Sequence, residues 1–468
     1  MREMFEESTA AYSSNCPVLL DEAQTVTMGD IRYVSMVFRD NFAGKLIVLK
    51  GARKVGHLAG YLASLLARVP VMILDDETTG DFLDEVISRF RPAGIFGFER
   101  KFSAYDAADF LPGVDGLVNV EMPKAAHPNL AVLLGTSGST GTPKFVRLSR
   151  EAVFHNATAI SECLPILETD VAITSLPYSY SYGLSIVNTH FIRGAQILVS
   201  ESSLASKDFW SQVKRFGVTS LGGVPTTYRT LQQFGWDPSE YPSLRYMTQA
   251  GGRLGDDERQ YFLDLLKSCG IDFFVMYGQT EATARITIAS PDVLHKKIGS
   301  VGRALADGEL SIKDPDSRGF GEVVYRGPNV MMGYATEESD LADDDLCNGE
   351  LLTGDIGSLQ DEILTLHGRT KRIAKIFGKR FSLDEIENWL AQYGQCVVVA
   401  QDDTVAVAVL SSAVPENLQK DLATHLGVHS TGIRILAVPA LPQLSNGKTN
   451  YQEVQKMLDA HFEVDSEA

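Results

Sequence analysis

The sequence predicts an α/β fold, and three observations carry that expectation. Short apolar runs alternate with longer amphipathic stretches through most of the chain. The length, 468 residues, is enough for two or three domains and a large core. Composition is that of an ordinary globular protein, 44% apolar and 22% charged, so nothing points to a fibrous or disordered chain.

In order, residues 45–49 (Lys-Leu-Ile-Val-Leu) read as a strand and His57–Arg68 as a helix with an apolar stripe. Val69–Leu74 is a second strand ending in Asp75-Asp76, Asp81–Arg91 a helix, and Gly94–Phe98 a third strand. Leu130–Leu134 and Phe145–Leu148 are extended, and from Glu151 the pattern turns helical. The alternation continues through 170–176, 196–200, 209–216 and 220–224. Strands and helices alternating in this way argue for parallel organisation. Near the end, Phe381–Trp389 reads as a helix with an acidic first turn, and 397–401 with 404–410 as a hairpin. These last hundred or so residues form a small α+β unit.

Several function classes drop out. The net charge is −18 with no basic run, which counts against nucleic acid as a partner. No stretch approaches the length of a membrane span, and the acidic N-terminus is not a signal peptide. The five cysteines (Cys16, Cys163, Cys269, Cys347, Cys396) lie far apart, without C-x-x-C, which fits a reducing, cytoplasmic setting. The acidic group Asp340, Asp343, Asp344, Asp345 does not fit an EF-hand loop, and His425 and His429 lack a zinc-site context.

The stretch Leu134–Lys144 (Leu-Gly-Thr-Ser-Gly-Ser-Thr-Gly-Thr-Pro-Lys) carries the chemistry. It holds three glycines, five hydroxyl residues and a lysine between two apolar strands. Glycines let backbone N–H groups turn toward a phosphate, hydroxyls add donors, and lysine adds a point charge. It fits neither the P-loop spacing nor the nucleophile elbow. Thr136, Ser137, Gly138, Ser139, Thr140, Gly141 and Lys144 instead resemble the phosphate loop of the adenylate-forming enzymes. That superfamily contains acyl-CoA synthetases, nonribosomal peptide synthetase adenylation domains and beetle luciferases. The resemblance implies a large N-terminal domain of mixed sheets flanked by helices and a small, mobile α+β C-terminal lid domain. It also implies ATP and Mg²⁺ as cofactors.

Further blocks resemble the superfamily in its order, from about Lys45 to Tyr451. Leu176-Pro-Tyr-Ser-Tyr-Ser-Tyr-Gly-Leu184 resembles the segment lining the carboxylate pocket, with Tyr180 where the family has a histidine. Tyr178, Tyr180 and Tyr182 are either pocket wall or core aromatics. Amino-acid-activating relatives keep an Asp near Ser181. No acid occurs between Leu176 and His190 here, which disfavours an α-amino acid, because a buried ammonium needs a counter-charge. Val224, in Gly222–Tyr228, and Gly251-Gly252, in Gln249–Leu254, resemble segments beside the acyl group and adenine. Tyr277-Gly278-Gln279-Thr280-Glu281 matches Tyr-Gly-x-Thr-Glu. By resemblance Tyr277 stacks on adenine, Thr280 contacts the α-phosphate and Glu281 helps bind Mg²⁺, a cation that prefers hard oxygens. Glu322–Tyr334 resembles a block of mainly structural role.

Asp355 and Arg369 match the family's two ribose contacts. The resemblance puts a boundary between domains 1–368 and 369–468, with Lys371 at the hinge and Lys375 and Gly378 facing the active site during thioester formation. Lys448, in Leu441-Pro-Gln-Leu-Ser-Asn-Gly-Lys448, matches the lysine that catalyses adenylation. The implied reaction activates a carboxylic acid as its adenylate, with pyrophosphate release, and passes it to a thiol. CoA is the first acceptor. The alternatives are the phosphopantetheine of a stand-alone acyl carrier protein or an amine. A luciferase-like oxygenase and a nucleotide-binding pseudo-ligase complete the readings. The tyrosine-rich wall favours an aromatic, hydroxylated or compact acid over a long fatty chain. Oligomeric state is not legible.

Overall fold

The computed structural model describes residues 4–111, 113–121, 123–135, 143–370, 372–377, 379–401, 404–411, 414–444 and 448–464. They form two compact units, 1–309 with 325–351, and 310–324 with 352–468. The expected break at 368/369 falls inside the second unit, at the end of the strand Ile363–Arg369.

The first unit holds two large sheets. One is eight-stranded, in the order Gly333–Ala335, Phe145–Ser149, Leu130–Gly135, Val71–Leu74, Ile47–Lys50, Gly94–Phe96, Val114–Asn119, Tyr105–Leu111. The expected parallel pairing holds only at its centre, where Ile47–Lys50 pairs with Val71–Leu74 and Gly94–Phe96, and Val71–Leu74 pairs with Leu130–Gly135. The flanks are antiparallel; Leu130–Gly135 and Phe145–Ser149, for example, are separated by only nine residues in sequence, fewer than a parallel crossover needs. The central strands are buried on both faces and accordingly read as unbroken Val/Ile/Leu runs.

The other sheet of this unit runs Ser300–Ala304, Thr287–Ala289, Asp272–Tyr277, Tyr246–Gln249, Ser220–Gly223, Val171–Ile173, Gln196–Leu198, Pro17–Leu20, Thr25–Thr27. Its middle is parallel, with Gly223 opposite Gln249 and Gln249 opposite Val275, so the 223, 249 and 277 regions end on one edge. Ligands of open parallel sheets gather at that carboxyl edge. The strand expected over 170–176 stops at Ile173; Ser175 leaves it to donate its hydroxyl to the Gly222 carbonyl at 2.6 Å.

The N-terminal segment holds elements that the alternation of strands and helices from residue 45 onward does not include. Among them is Met28–Phe42, whose helix starts with a capping box between Thr27 and Asp30. Helix Arg150–Cys163 likewise starts where Ser149 Oγ accepts from the Ala152 N–H. Two helices buried all round sit against the sheets, Val55–Ala67 and Ser181–Ile192.

In the second unit, Glu309–Lys313, Gly321–Arg326, Glu350–Gln360 and Ile363–Arg369 lie side by side. A hairpin follows, Ile373–Ile376 with Lys379–Ser382, then helix Leu383–Leu390. The sheet Cys396–Gln401, Thr404–Leu410, Ile433–Val438 completes the unit, with helices Leu418–Leu426 and Tyr451–Val464. The expected hairpin 397–410 is there, antiparallel from Cys396↔Val409 to Gln401↔Thr404. Half-buried Arg372 anchors this unit, paired with Asp384 and Glu387 and stacked over Tyr451. Among the described residues no helix is long and apolar enough to cross a membrane, and all five cysteines are thiols.

Candidate active site

In the first unit, strand pairing continues to Gly135↔Phe145, so both ends of the glycine-rich stretch are fixed. Thr136, Ser137, Gly138, Ser139, Thr140 and Gly141 lie outside the described residues. Lys144 lies within them. Its ammonium sits 3.5 Å from the centre of the Tyr334 ring, a cation–π contact. Tyr334 is there because Gly333–Ala335 pairs antiparallel with Phe145–Ser149, with Tyr334 opposite Val146. The Tyr334 hydroxyl donates to Glu281 Oε1 at 3.0 Å. Burial and the neighbouring Glu281 carboxylate raise the pKa of that phenol, so it stays a donor. Lys144, Tyr334 and Glu281 therefore form one chain of contacts. The sequence places Tyr334 only at the end of a structural block, and a tyrosine in that closing position is the one signal it offers.

The Tyr277–Glu281 motif leaves the sheet as a tight loop. A Cβ on Gly278 would stand 1.9 Å from the Ala284 carbonyl, so this position admits only glycine. Thr283 (φ +54°) and Ala284 (φ +106°) hold left-handed backbone without being glycine, a cost that surrounding bonds must sustain. Asn329 Nδ2 supplies two of them, donating to the carbonyls of Ala282 (2.8 Å) and Arg285 (2.9 Å). Asn156 Nδ2 adds a third, to Arg285 (2.9 Å). Tyr277 is mostly buried, and Gln279 joins the loop through its carbonyl, which accepts from the Ala282 N–H.

The pocket residues meet as the motifs imply. Gly251 has φ +82°, and a Cβ there would lie 2.5 Å from Tyr180 Oη and 3.1 Å from Val224 Cγ1. Gln249, fully buried, donates to the Gly252 carbonyl at 2.9 Å and pins this turn. Thr280 Oγ1 donates to Ser181 Oγ at 3.2 Å. The structure thus brings Tyr180, Val224 and Gly251 together, and Ser181 with Thr280. Of the three tyrosines in this segment, Tyr178 is core: it is fully buried and donates to the Lys50 carbonyl at 2.7 Å. The Leu-Pro…Gly spacing also has a steric origin, since a Cβ on Gly183 would sit 2.1 Å from the Pro177 carbonyl oxygen.

In the second unit, Asp355 and Arg369 are direct cross-strand partners, with Arg369 Nε 3.0 Å from Asp355 Oδ1. Thr353 Oγ1 accepts from the Asp355 N–H and donates to the Val323 carbonyl, holding Asp355 in place within the strand Glu350–Gln360. Lys448 is half-buried, and its carbonyl accepts from the Leu444 N–H at 2.8 Å. Lys375 lies on the hairpin opposite Arg380. Lys371 and Gly378 lie outside the described residues.

These residues fit a nucleotide with Mg²⁺. Among the described residues no group of three or more His, Cys, Asp or Glu could cage a metal alone. A single carboxylate, Glu281, is the donor Mg²⁺ uses when phosphates and water complete its shell.

A nucleotide-dependent, adenylate-forming enzyme is the class this fold and these residues define. The chain belongs to the AMP-binding enzyme family, whose model matches residues 44–335, more than half of the chain. It is 30% identical over 335 residues to a 2-succinylbenzoate–CoA ligase of Bacillus pumilus, covering 68% of this chain and 67% of that one. Among solved structures it resembles the o-succinylbenzoate CoA synthetase of Bacillus subtilis in complex with its acyl-adenylate intermediate. That likeness has a TM-score of 0.73 at 20% identity, over 97% of this chain and 98% of the other. The same enzyme in complex with ATP and magnesium ion gives a TM-score of 0.74 at 20% identity, over 97% and 99%.

Proposed function

We propose that the protein is an AMP-forming ligase that activates a carboxylic acid with ATP and transfers the acyl group to CoA. The observation that carries the reading is the Lys144–Tyr334–Glu281 chain on the same unit as the Tyr180–Val224–Gly251 wall. A cation and a magnesium-type carboxylate stand together in a unit that also offers an apolar and aromatic wall for an acyl group.

In this reading the substrate carboxylate oxygen attacks the α-phosphorus of ATP, the bond to the bridging oxygen breaks, and pyrophosphate leaves. Negative charge builds on phosphate oxygens, so the useful help is fixed, cationic and dry. Lys144 and residues 136–142 serve the leaving phosphates, Thr280 the α-phosphate, and Glu281 would hold Mg²⁺. Mg²⁺, when bound, supplies charge neutralisation and orientation. Tyr334 aims both Lys144 and Glu281. Asp355 accepts from the ribose hydroxyls, for which a carboxylate is suited, and Arg369 sets its orientation. Lys448 approaches the reacting oxygens for the first step. The segment after 368 then turns at Lys371, withdraws Lys448 and brings Lys375 and Gly378 toward the CoA thiol. The thiolate sulfur displaces AMP from the acyl carbon. Five thiols support a cytoplasmic setting.

The test is pyrophosphate release with ATP and Mg²⁺ over a panel of carboxylic acids, wild type against Lys448→Ala. Release should depend on the acid and fall roughly 100- to 1,000-fold in the variant, while ATP still binds. Adding CoA to the positives should convert adenylate to thioester. Release unchanged in the variant would remove Lys448 from the first step. Silence with every acid would leave a nucleotide binder without ligase activity.

A further inference from the structure

Lys448 is carried by the segment 442–450, whose described ends hold one another. Gln443 and Thr449 form an antiparallel bridge, the Leu444 N–H donates to the Lys448 carbonyl at 2.8 Å, and the Asn450 N–H donates to the Pro442 carbonyl at 2.9 Å. Asn450 then starts the terminal helix Tyr451–Val464. Its side-chain oxygen accepts from the Glu453 N–H at 3.1 Å, and its carbonyl from the Val454 N–H at 3.1 Å. Val454 and Leu458, both fully buried, fasten that helix to the sheet residues Val397, Val399 and Ala406. Tyr451 is 38% exposed and lies outside that apolar cluster. Its ring instead takes the Arg372 guanidinium, whose carbon lies 4.2 Å from the ring centre.

Arg372 is held too firmly to follow a moving ring. Its two terminal nitrogens meet both carboxylate oxygens of Glu387, at 2.9 and 2.7 Å, Nη1 also pairs with Asp384, and Nη2 donates to the Val398 carbonyl at 2.8 Å. Glu387 Oε1 in turn accepts from the Val398 N–H at 2.8 Å. The backbone is tied as well: the Arg372 N–H donates to the Arg369 carbonyl at 3.1 Å, and the Leu383 N–H to the Arg372 carbonyl at 2.9 Å. With both terminal nitrogens spent in its plane, the guanidinium offers its face to the ring. The ring adapts to the guanidinium, and the chain leading back to Lys448 adapts to the ring.

We infer that Arg372 and Tyr451 are positioning residues for Lys448. Their stack sets the direction in which the chain runs from the first residue of the terminal helix back to the lysine. This rests on the ligase reading and deepens it. In that reading the segment after 368 turns at Lys371, and Arg372 is the next residue. The stack makes pivot and lysine one rigid piece, so that rotation delivers the ammonium to one place rather than to a spread of places. Val454 and Leu458 already supply the helix with its cohesion, so the stack contributes to aim more than to stability. The ring, not the hydroxyl, is the working part of Tyr451.

The experiment measures two half-reactions on wild type, Tyr451→Leu, Tyr451→Phe, Phe462→Leu and Lys448→Ala. One is pyrophosphate release with ATP, Mg²⁺ and an acid that wild type accepts. The other is thioester formation from that acid's supplied adenylate and CoA. Tyr451→Leu should lower kcat for release by about 10- to 100-fold, the scale of a misplaced catalytic group, with KM for ATP and acid unchanged. Thioester formation should stay at the wild-type rate, because Lys448 has withdrawn by then in the ligase reading. Tyr451→Phe keeps the stack and should behave as wild type. So should Phe462→Leu, which removes the looser stack of Arg434, 5.5 Å from that ring centre, at the far end of the same helix. Equal loss in both half-reactions, equal loss from Tyr451→Leu and Phe462→Leu, or no loss of release in Tyr451→Leu overturns the inference, while a drop in Lys448→Ala keeps the ligase reading standing. Release unchanged in Lys448→Ala, or none from wild type with any acid, removes the ligase reading instead. Hydrogen exchange then decides the stack alone. Faster exchange of the Leu444 and Asn450 amides in Tyr451→Leu, absent in Tyr451→Phe, upholds it; equal exchange overturns it. Should Tyr451→Leu not fold, Tyr451→pentafluorophenylalanine takes its place in the same comparisons, since it keeps the ring's shape and reverses its attraction for a cation.

Discussion

Two helices of the first unit solve the same burial problem with different materials. Val55–Ala67 has 12 of its 13 residues buried, and Ser181–Ile192 has 11 of 12. The former is mostly aliphatic, with His57, Tyr61 and Ser64 as its polar members, and packs largely through apolar contacts. The latter buries Ser181, Tyr182, Ser185, Asn188, Thr189 and His190. Burying polar groups is costly unless each finds a partner. Here Tyr182 donates to the Thr248 carbonyl at 2.7 Å, and Asn188 accepts from Tyr61 at 2.8 Å. An apolar helix tolerates small shifts, whereas a hydrogen-bonded one holds a single position. Precision is concentrated in the helix beside Gly251, Thr280 and Arg285, and bulk cohesion in the other.

Three substitutions break or sharpen that contrast. Leu62→Ala, at a fully buried site of the aliphatic helix, should cost about 2–5 kcal/mol in urea unfolding. Its pyrophosphate release per folded molecule should match wild type. Tyr182→Phe should cost less stability, about 0.5–1.5 kcal/mol for one lost hydrogen bond, since Tyr228 still donates to the Thr248 carbonyl at 2.8 Å, yet slow release where Leu62→Ala does not. Equal kinetic effects from the two would erase the distinction.

The smallest effect concerns His57, one of the few polar residues in the aliphatic helix. Neither of its ring nitrogens has a hydrogen-bond partner. Burial, then Lys54 and Lys50 against the weaker pull of Asp76, lower its pKa from 6.5 to about 4. The unfolded chain therefore binds this proton more readily than the folded one. The stability is full above pH 6.5 and declines as pH falls from there through about 4. His57→Leu should leave the urea midpoint nearly unchanged at pH 7.5 and flatten its decline between about pH 6.5 and 4.5, inside the window those two values set. An unaltered acid limb would assign that decline to other groups.

The sequence made much of this fold legible, because the central strands announce themselves as apolar runs. Expected strands at 45–49, 69–74 and 130–134 lie within two residues of those observed. Pairing direction was not legible at the flanks, where it depends on which strand is adjacent in space. Nor was the hairpin of Tyr105–Leu111 and Val114–Asn119, whose outer strand is largely exposed and lacks a clean apolar alternation. The helix expected from Phe381 begins at Leu383, because Ser382 caps it and 379–382 pair in the hairpin. Among site residues, motifs with fixed spacing could be found, since the chain itself sets that geometry. Tyr334 escaped because its significance lies in partners from distant segments, a lysine and a glutamate.

The knotted turn from Gly278 to Arg285 has a consequence for how such a protein changes over generations. Its backbone is held by sterics at Gly278 and by the amides of Asn156 and Asn329, so most replacements there are paid for in folding. Ser185 and Thr189 line a small pocket of the first unit from a separate helix, beside Tyr182, and each hydroxyl donates within its own turn. On the function proposed above, a lineage can acquire a new acid by resizing those two positions while its nucleotide chemistry is inherited intact.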